Sequence, residues 1–178
     1  MTKSVHECIE AAVLDLYQNG QEVKPLKWQS TEVEHPMIEI TQRFYQMKMP
    51  SNISILQSQT NADQPWSEDH FQERVSGEPL NPGNQYYNWP YYDHGKDNDR
   101  FREGDKQFSH SYMERYWPPR DLKGIRYNYG DLNHLVERMK KDPLTRQAYL
   151  SVWYPEDQVD IGERVPCTLG YHFMIRDN

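Results

Sequence analysis

Asp142-Pro-Leu-Thr-Arg-Gln-Ala-Tyr-Leu-Ser-Val-Trp-Tyr154 is followed, after a short acidic turn, by Glu163-Arg-Val-Pro-Cys-Thr-Leu-Gly-Tyr-His-Phe-Met-Ile-Arg176. The Asp-Pro pair stops a preceding helix, and both stretches then become rich in β-branched and aromatic residues, which predicts two strands. Arg146 lies at the junction between the helix and the first strand. Cys167 follows a proline at the mouth of the second strand. The residues alone therefore predict an anion site and a candidate thiol nucleophile.

Each of these two residues has a simpler interpretation. Arg146 can form a weak surface salt bridge instead of binding a phosphate through both arms of its guanidinium. Cys167 can be a buried, inert thiol. The functional interpretation of the cysteine rests on Pro166, which fixes the backbone before the thiol, and on Arg164, whose charge favours the thiolate. A cysteine hydrolase is disfavoured because His172, five residues on in the same strand, faces away from the thiol.

Composition narrows the class of protein. The chain has 178 residues, which predicts a single domain over residues 1–178. Its net charge is −7 and no basic run stands out, which argues against a nucleic-acid partner. No apolar run reaches membrane length and no signal peptide opens the chain, so a cytoplasmic protein without a membrane partner is expected. Two distant cysteines make no disulfide framework, and the histidines lack metal-ligand spacing, so no metal is expected.

Three helices are predicted from apolar periodicity and from capping residues: Ser4–Asn19, Trp66–Ser76 and Asp131–Lys141. In the first helix, Ser4 and Glu7 match a capping box, and Cys8 falls on the apolar stripe as a core residue. The second helix, with Ser67 as its expected cap, is acidic. Its charged side chains are either a solvated face or include one group that handles protons in a cleft; the candidates are Glu68, Asp69, His70 and Glu73.

Residues 78–120 form an aromatic-rich excursion with little periodicity. A connection this long in a compact domain is either functional or disordered, and disordered segments are usually poor in aromatics. Here the aromatic residues are frequent: Tyr86, Tyr87, Trp89, Tyr91, Tyr92, Tyr112, Tyr116 and Trp117. We therefore expect an ordered segment that covers a site or a partner surface.

These motifs resemble those of the thymidylate synthases and their pyrimidine hydroxymethylase relatives. Asp142 to Gln147 is similar to the family's NPxSRR phosphate motif, and Ala148 to Asp157 to its IxSAWNPxD strand. Pro166-Cys167 resembles its PPCH nucleophile motif, and an aromatic strand follows as in FQFYV. Looser likenesses link Ser76 to Trp89 with the GDTN…WDEW region and Tyr112 to Trp117 with YGxQWR. The likeness is specific from Asp131 to Ile175 and weak before it.

The resemblance implies an α+β fold, a mixed β-sheet with helices on one face, incomplete at the C-terminus. It implies that the Cys167 thiolate adds to C6 of a pyrimidine deoxynucleotide, dUMP or dCMP. A one-carbon unit from 5,10-methylenetetrahydrofolate is then attached at C5. Arg146 would bind the 5′-phosphate across a homodimer interface, and Tyr112 would line the site. The family's base-side carboxylate falls in register at His70.

The chain departs from the family at several positions. Gln147 replaces the second arginine of the phosphate motif, and Thr168 replaces the histidine after the nucleophile. The family's RSxDxxLGxPFN segment would begin shortly after residue 178, so we expect that material is missing or is supplied by a complementing chain. Two functions stay open: a C5 transferase, and a shortened, non-catalytic binding or regulatory module. Methyl transfer and hydroxymethyl transfer are not distinguished by the sequence.

Overall fold

A computed structural model of the chain describes residues 4–25, 27–28, 31–32, 35–88, 102–103, 107–119, 130–159 and 165–176. The chain divides into two compact units, Met1–Gln64 and Pro65–Asn178. We call them the N-terminal unit and the C-terminal unit. The prediction of a single domain over residues 1–178 stays a prediction.

The N-terminal unit begins with helix α1, Val5–Asn19. The Ser4 hydroxyl accepts a hydrogen bond from the Glu7 N–H, and the Glu7 carboxylate accepts one from the Ser4 N–H at 2.8 Å. This predicted capping box satisfies two of the donors that a helix start leaves open. Cys8 is buried, as predicted. Gly20 ends the helix in an extended conformation, with its N–H donating to the Leu16 carbonyl at 2.9 Å.

The remaining elements of this unit are short. Strand β1, Gln21–Val23, pairs antiparallel with β4, Met37–Glu39, and β2, Lys27–Trp28, pairs antiparallel with β3, Thr31–Glu32. Helix α2, Ile53–Thr60, packs against α1. Asn52 caps α2, since its side-chain oxygen accepts the Ser54 N–H at 2.9 Å.

The C-terminal unit carries the other elements in this order: α3 (Trp66–Arg74), a 3-10 turn (Asn84–Tyr86), β5 (Arg102–Glu103), β6 (Gln107–Phe108), α4 (Tyr112–Tyr116), α5 (Leu132–Lys141), β7 (Ala148–Ser151), a second 3-10 turn (Pro155–Gln158) and β8 (Gly170–Phe173). β5 pairs antiparallel with β6, and β7 pairs antiparallel with β8. In the β7–β8 hairpin, Ala148 lies opposite Phe173 and Ser151 lies opposite Gly170.

The core of the C-terminal unit lies on one face of the β7–β8 hairpin. Along β7, burial alternates residue by residue, because successive side chains of a strand point to opposite faces. The buried face packs against α5 and α4, and the cluster has six buried members: Tyr116, Trp117, Leu135, Ala148, Leu150 and Val152. Asp131 starts α5 by accepting the His134 N–H, so the helix presents Leu135 to this cluster.

The predicted combination of helices and strands is confirmed. Within the described residues there are five α-helices and four two-stranded antiparallel sheets. The three predicted helices are present, but Ser67 is not the cap of α3, because Pro65 holds the cap position without a side-chain hydrogen bond. The larger mixed sheet stays a prediction. Among the helices of the described ranges, none combines the length and apolar composition needed to cross a bilayer.

Candidate functional site

Cys167 lies on a short loop, residues 165–169, that leads into β8. Pro166 before it is fully buried, whereas Cys167 itself is exposed. The Pro166 carbonyl accepts a hydrogen bond from the indole of Trp153, and the Leu169 carbonyl accepts the Val152 N–H at 3.0 Å. The loop is therefore attached to the end of β7 on both sides of the thiol, and the sulfur is left accessible.

Tyr112 makes the third attachment of this loop. Its hydroxyl oxygen accepts hydrogen bonds from the backbone N–H of Cys167 at 3.0 Å and from that of Thr168 at 3.2 Å. A single side chain thereby satisfies two backbone donors beside the thiol. The structure thus brings together Tyr112 and Cys167, two of the three residues that the sequence singled out.

Helix α4 positions Tyr112, although it has only five residues. Ser111 and Glu114 form a capping box: the Ser111 hydroxyl accepts the Glu114 N–H at 3.1 Å, and the carboxylate accepts the Ser111 N–H at 2.8 Å. Asn81 donates a further hydrogen bond to this carboxylate at 2.8 Å. Burial nevertheless raises the pKa of Glu114, and these hydrogen bonds oppose the rise. The helix start is therefore specified by polar contacts rather than by apolar periodicity.

The other side of α4 is tied to the turn after β7. Arg115 and Asp157 form an ion pair at 2.8 Å, and each side chain is only 10% exposed. The Arg115 guanidinium also lies 4.2 Å from the ring centre of Tyr154, and Asp157 accepts the Tyr154 N–H at 2.8 Å. A buried charge pair with these extra contacts fixes α4 relative to the strand that precedes the Cys167 loop.

Tyr112 also lines a cavity of about 280 Å³. Half of its lining residues are aromatic or histidine, and the cavity lies wholly within the C-terminal unit. Its lining residues come from three segments, residues 66–74, 82–86 and 108–113: Trp66, His70, Glu73, Arg74, Pro82, Gly83, Tyr86, Phe108, His110, Ser111, Tyr112 and Met113. Its size approaches the lower end of small-molecule pockets.

Three charged or titratable residues of α3 line this cavity. The Arg74 guanidinium lies 4.6 Å from the ring centre of Tyr112, within the range of a cation–π interaction. The two Glu73 oxygens each lie 3.2 Å from the Gln85 nitrogen. Burial lowers the pKa of His70, nearby Arg74 lowers it further, and Glu73 opposes this.

The other two predicted acid–base candidates lie outside the cavity. Glu68 is exposed and accepts a hydrogen bond from Gln72 at 2.7 Å, while Asp69 is exposed on the same helix. The structure thus separates the four candidates into a cavity pair, His70 and Glu73, and a solvent pair.

Arg146 lies at the opposite end of the β7–β8 hairpin from Cys167. It precedes β7, whereas the cysteine loop adjoins the Ser151–Gly170 end. Because a strand rises about 3.3 Å per residue, Arg146 is roughly 15 Å from that end. Its side chain is exposed, and its carbonyl lies 3.0 Å from the His172 ring nitrogen. The structure therefore does not bring Arg146 and Cys167 of one chain together.

Gln147 contacts an arginine of α5. Its side-chain oxygen accepts a hydrogen bond from the Arg138 guanidinium at 2.9 Å. A guanidinium of α5 thus lies beside the position where the resembled motif has its second arginine.

Sequence reasoning missed several residues of the site. Arg74, His110 and Arg115 carried no signal of their own. The Ser111–Glu114 spacing is a capping-box motif that could have located α4. Some predicted aromatic and charged residues lie outside the described residues: Trp89, Tyr91, Tyr92, His94 and Arg164. Within the described ranges, no group of three or more histidine, cysteine or carboxylate residues is arranged to hold a metal ion.

Comparisons of the chain with protein-family models, with curated proteins and with solved structures find no match.

Proposed function

We propose that this chain transfers a folate-borne one-carbon unit to C5 of a pyrimidine deoxynucleotide, dUMP or dCMP, through a Cys167 adduct at C6. The observation that carries the proposal is the junction at Tyr112. Its hydroxyl binds the backbone of an exposed cysteine, and its ring lines a cavity that contains His70, Glu73 and Arg74. Tyr112 thus connects the proposed nucleophile, which does not itself line the cavity, with the acid–base groups that do, and covalent catalysis needs both.

The chemistry needs an accessible thiolate beside an electron-poor double bond. When the Cys167 sulfur forms a bond to C6, the electron pair of the C5=C6 double bond moves onto C5 and is delocalised into the C4 substituent. C5 then becomes a nucleophile, and 5,10-methylenetetrahydrofolate supplies the electrophilic carbon when it is bound. The Tyr112 hydroxyl accepts the Cys167 N–H, which holds the backbone of the proposed nucleophile in place.

The cavity residues fit a planar heterocycle. Tyr86, Phe108 and Tyr112 offer aromatic walls, and Arg74 adds a group that can hydrogen-bond to ring atoms. A volume of about 280 Å³ accommodates a ring system and leaves the rest of a folate or nucleotide outside. The proposed ring-binding residues are therefore Arg74, Tyr86, Phe108 and Tyr112.

Arg146 is proposed to bind the 5′-phosphate, but not in the site of its own chain. The hairpin places Arg146 and the Cys167 loop at opposite ends, roughly 15 Å apart along the strand, so they do not adjoin one another within one chain. A homodimer in which Arg146 reaches the site of the second copy removes this difficulty, and so does a complementing chain that supplies the phosphate contacts. Its exposed guanidinium suits bidentate capture of a phosphate.

The test of this function is the Cys167→Ser variant. Wild-type protein should form a covalent adduct with 5-fluoro-dUMP or 5-fluoro-dCMP in the presence of the folate, detected as a mass increase on the Cys167 peptide. The serine variant should form none and should lose turnover by at least about a thousandfold, because a serine hydroxyl stays un-ionised at neutral pH. Cys8→Ala is the matched control and should keep full turnover. Undiminished turnover of Cys167→Ser would refute the assignment.

A second candidate function is a non-catalytic nucleotide-binding module. It is favoured by Gln147, which replaces a phosphate-binding arginine, and by the distance of Arg146 from the cysteine loop. The same experiment distinguishes the two functions. Nucleotide binding by calorimetry, with no adduct and no turnover in wild-type protein, supports the module.

A further inference from the structure

We propose that His70, and not a carboxylate, is the acid–base residue of the cavity and takes the proton that C5 loses. This inference rests on the proposed function. A pyrimidine C5 carries one hydrogen, and a new carbon substituent at C5 can remain on an aromatic ring only if that hydrogen leaves as a proton. The site therefore needs a base, and α3 offers four candidates within six residues of chain.

The geometry excludes the three carboxylates one by one. Glu68 and Asp69 are exposed and do not line the cavity. Glu73 lines it, but both of its oxygens lie 3.2 Å from the Gln85 N–H. Its carboxylate is also packed so closely against Gly83 that a side chain at Gly83 would collide with it. Glu73 thus holds the 3-10 turn in place, and a proton delivered to it would disrupt that contact.

His70 has the geometry that the carboxylates lack. It is half-buried, lines the cavity, and its ring centre lies 4.8 Å from that of Trp66. None of the described residues forms a hydrogen bond to either of its ring nitrogens. The tilted contact with Trp66 fixes the plane of the imidazole and leaves its nitrogens for a ligand.

The electrostatic surroundings keep this imidazole neutral. On its own helix it faces Glu73 and Arg74, and the other elements around the cavity contribute Tyr86, His110 and Tyr112. Burial and the Arg74 charge lower the pKa of His70 from its ordinary value of 6.5. At neutral pH the ring is therefore deprotonated and ready to accept a proton, which suits a general base.

The proton step balances without a further reactant. The neutral His70 nitrogen takes the C5 hydrogen as a proton and becomes an imidazolium. The electron pair of the broken C5–H bond stays with C5 and forms a double bond between C5 and a neighbouring atom. For simple hydrogen exchange, water first gives a proton to C5 of the Cys167 adduct. His70 then takes the original C5 hydrogen, the electron pair of that bond restores the C5=C6 double bond, and the Cys167 sulfur leaves C6 as a thiolate. The imidazolium then returns its proton to water.

The experiment measures two steps in the full chain. The first is tritium release from [5-³H]dUMP or [5-³H]dCMP, with and without the folate, which requires removal of the C5 hydrogen. The second is adduct formation between Cys167 and the 5-fluoro nucleotide, which carries no C5 proton to remove. His70→Gln should slow tritium release by about 10²- to 10⁴-fold and should change adduct formation by less than about threefold.

Two further variants test the assignment of His70 as the base. His70→Glu should restore part of the release, and its activity should persist to lower pH, because a carboxyl group titrates near 4.3 rather than 6.5. In the wild type, release should fall as the pH drops through the lowered pKa of His70, below 6.5. Gln72→Ala, on the exposed side of the same helix, is the matched control and should behave as wild type.

The outcomes separate this inference from the proposed function. If wild-type protein forms no adduct and releases no tritium, the C5 transfer function fails, and the inference fails with it. If wild-type protein does both, and His70→Gln releases tritium at the wild-type rate, His70 is not the base. Loss of release in Asp69→Asn with retention in His70→Gln would likewise overturn the assignment in favour of the carboxylate.

Discussion

The two cysteines of this chain lie in regions that hold them in opposite ways. Cys8 lies in the first turns of α1, is 4% exposed, and donates its N–H to the Ser4 carbonyl within its own helix at 3.0 Å. Cys167 lies on an irregular loop with an exposed thiol and donates its N–H to a tyrosine hydroxyl 55 residues away. Cys8 is held by a hydrogen bond of its own helix and is buried, so its thiol serves only for packing. Remote bonding together with exposure leaves the second thiol accessible.

This difference indicates that the accessibility of Cys167 depends on contacts between residues of the C-terminal unit that are distant in sequence. A helix supplies its own hydrogen bonds and needs little from elsewhere. A loop has no such pattern, so other elements must satisfy its backbone groups and fix its shape. The comparison can be tested by removing remote contacts around the Cys167 loop and local contacts around Cys8.

The largest expected effect comes from the buried ion pair behind the Cys167 loop. Asp157→Ala should lower the free energy of unfolding of the C-terminal unit by about 3–5 kcal/mol, because the Arg115 guanidinium would stay buried without its partner. Urea unfolding followed by tryptophan fluorescence measures this loss. Glu137→Gln breaks an exposed pair with Lys140 and should have almost no effect on the free energy of unfolding, because water screens this pair. Equal losses in the free energy of unfolding for the two variants would show that the buried Arg115–Asp157 pair stabilises the fold no more than the exposed pair does.

The second prediction concerns the accessibility of the two thiols. Maleimide should label Cys167 within the mixing time of a manual assay and Cys8 about a hundredfold more slowly, because Cys8 reacts only after α1 opens locally. Peptide mass spectrometry over a time course gives both rates in one sample. Similar rates at the two positions would contradict the comparison, and Cys8→Ala checks that the slow product comes from Cys8.

The third prediction removes the remote acceptor itself. Tyr112→Phe deprives the Cys167 and Thr168 N–H groups of their partner, at a cost of about 1 kcal/mol, because water replaces part of the lost bond. The looser loop should lower turnover in the proposed reaction about tenfold. Tyr116→Phe, one turn further along α4, loses a 2.8 Å hydrogen bond to Tyr171 but no contact with the loop. It should destabilise the fold without affecting turnover as strongly.

These regions also show which parts of the structure can be predicted from sequence. Helices α1 and α5 were predicted correctly, because periodicity and a capping residue, Ser4 or Asp131, are both local signals. Strands β7 and β8 were also predicted from a local signal, which is their β-branched and aromatic content. By contrast, α4 has five residues and no apolar period, and only its Ser111–Glu114 capping box identifies it.

For the candidate site, the sequence indicated individual residues but not the contacts between them. Cys167, Tyr112 and His70 could each be singled out, but no local pattern states that one tyrosine hydroxyl binds the cysteine loop. The Arg115–Asp157 pair joins residues 42 positions apart, and the cavity is formed by three separate segments. Such contacts depend on how the chain packs, so sequence periodicity carries no information about them.

The smallest expected effect on turnover is at Cys8. Cys8→Ser replaces a buried thiol by a hydroxyl of similar size, and the hydroxyl must either find a hydrogen-bond partner or stay unsatisfied. We expect a loss of about 1–2 kcal/mol in the free energy of unfolding, measured by urea titration, with unchanged turnover. Cys8→Ala should cost about 1 kcal/mol, because it leaves a small gap and no buried polar group. A larger loss for alanine than for serine would mean that the Cys8 environment is polar, and the contrast between the two cysteine regions would then rest on exposure alone.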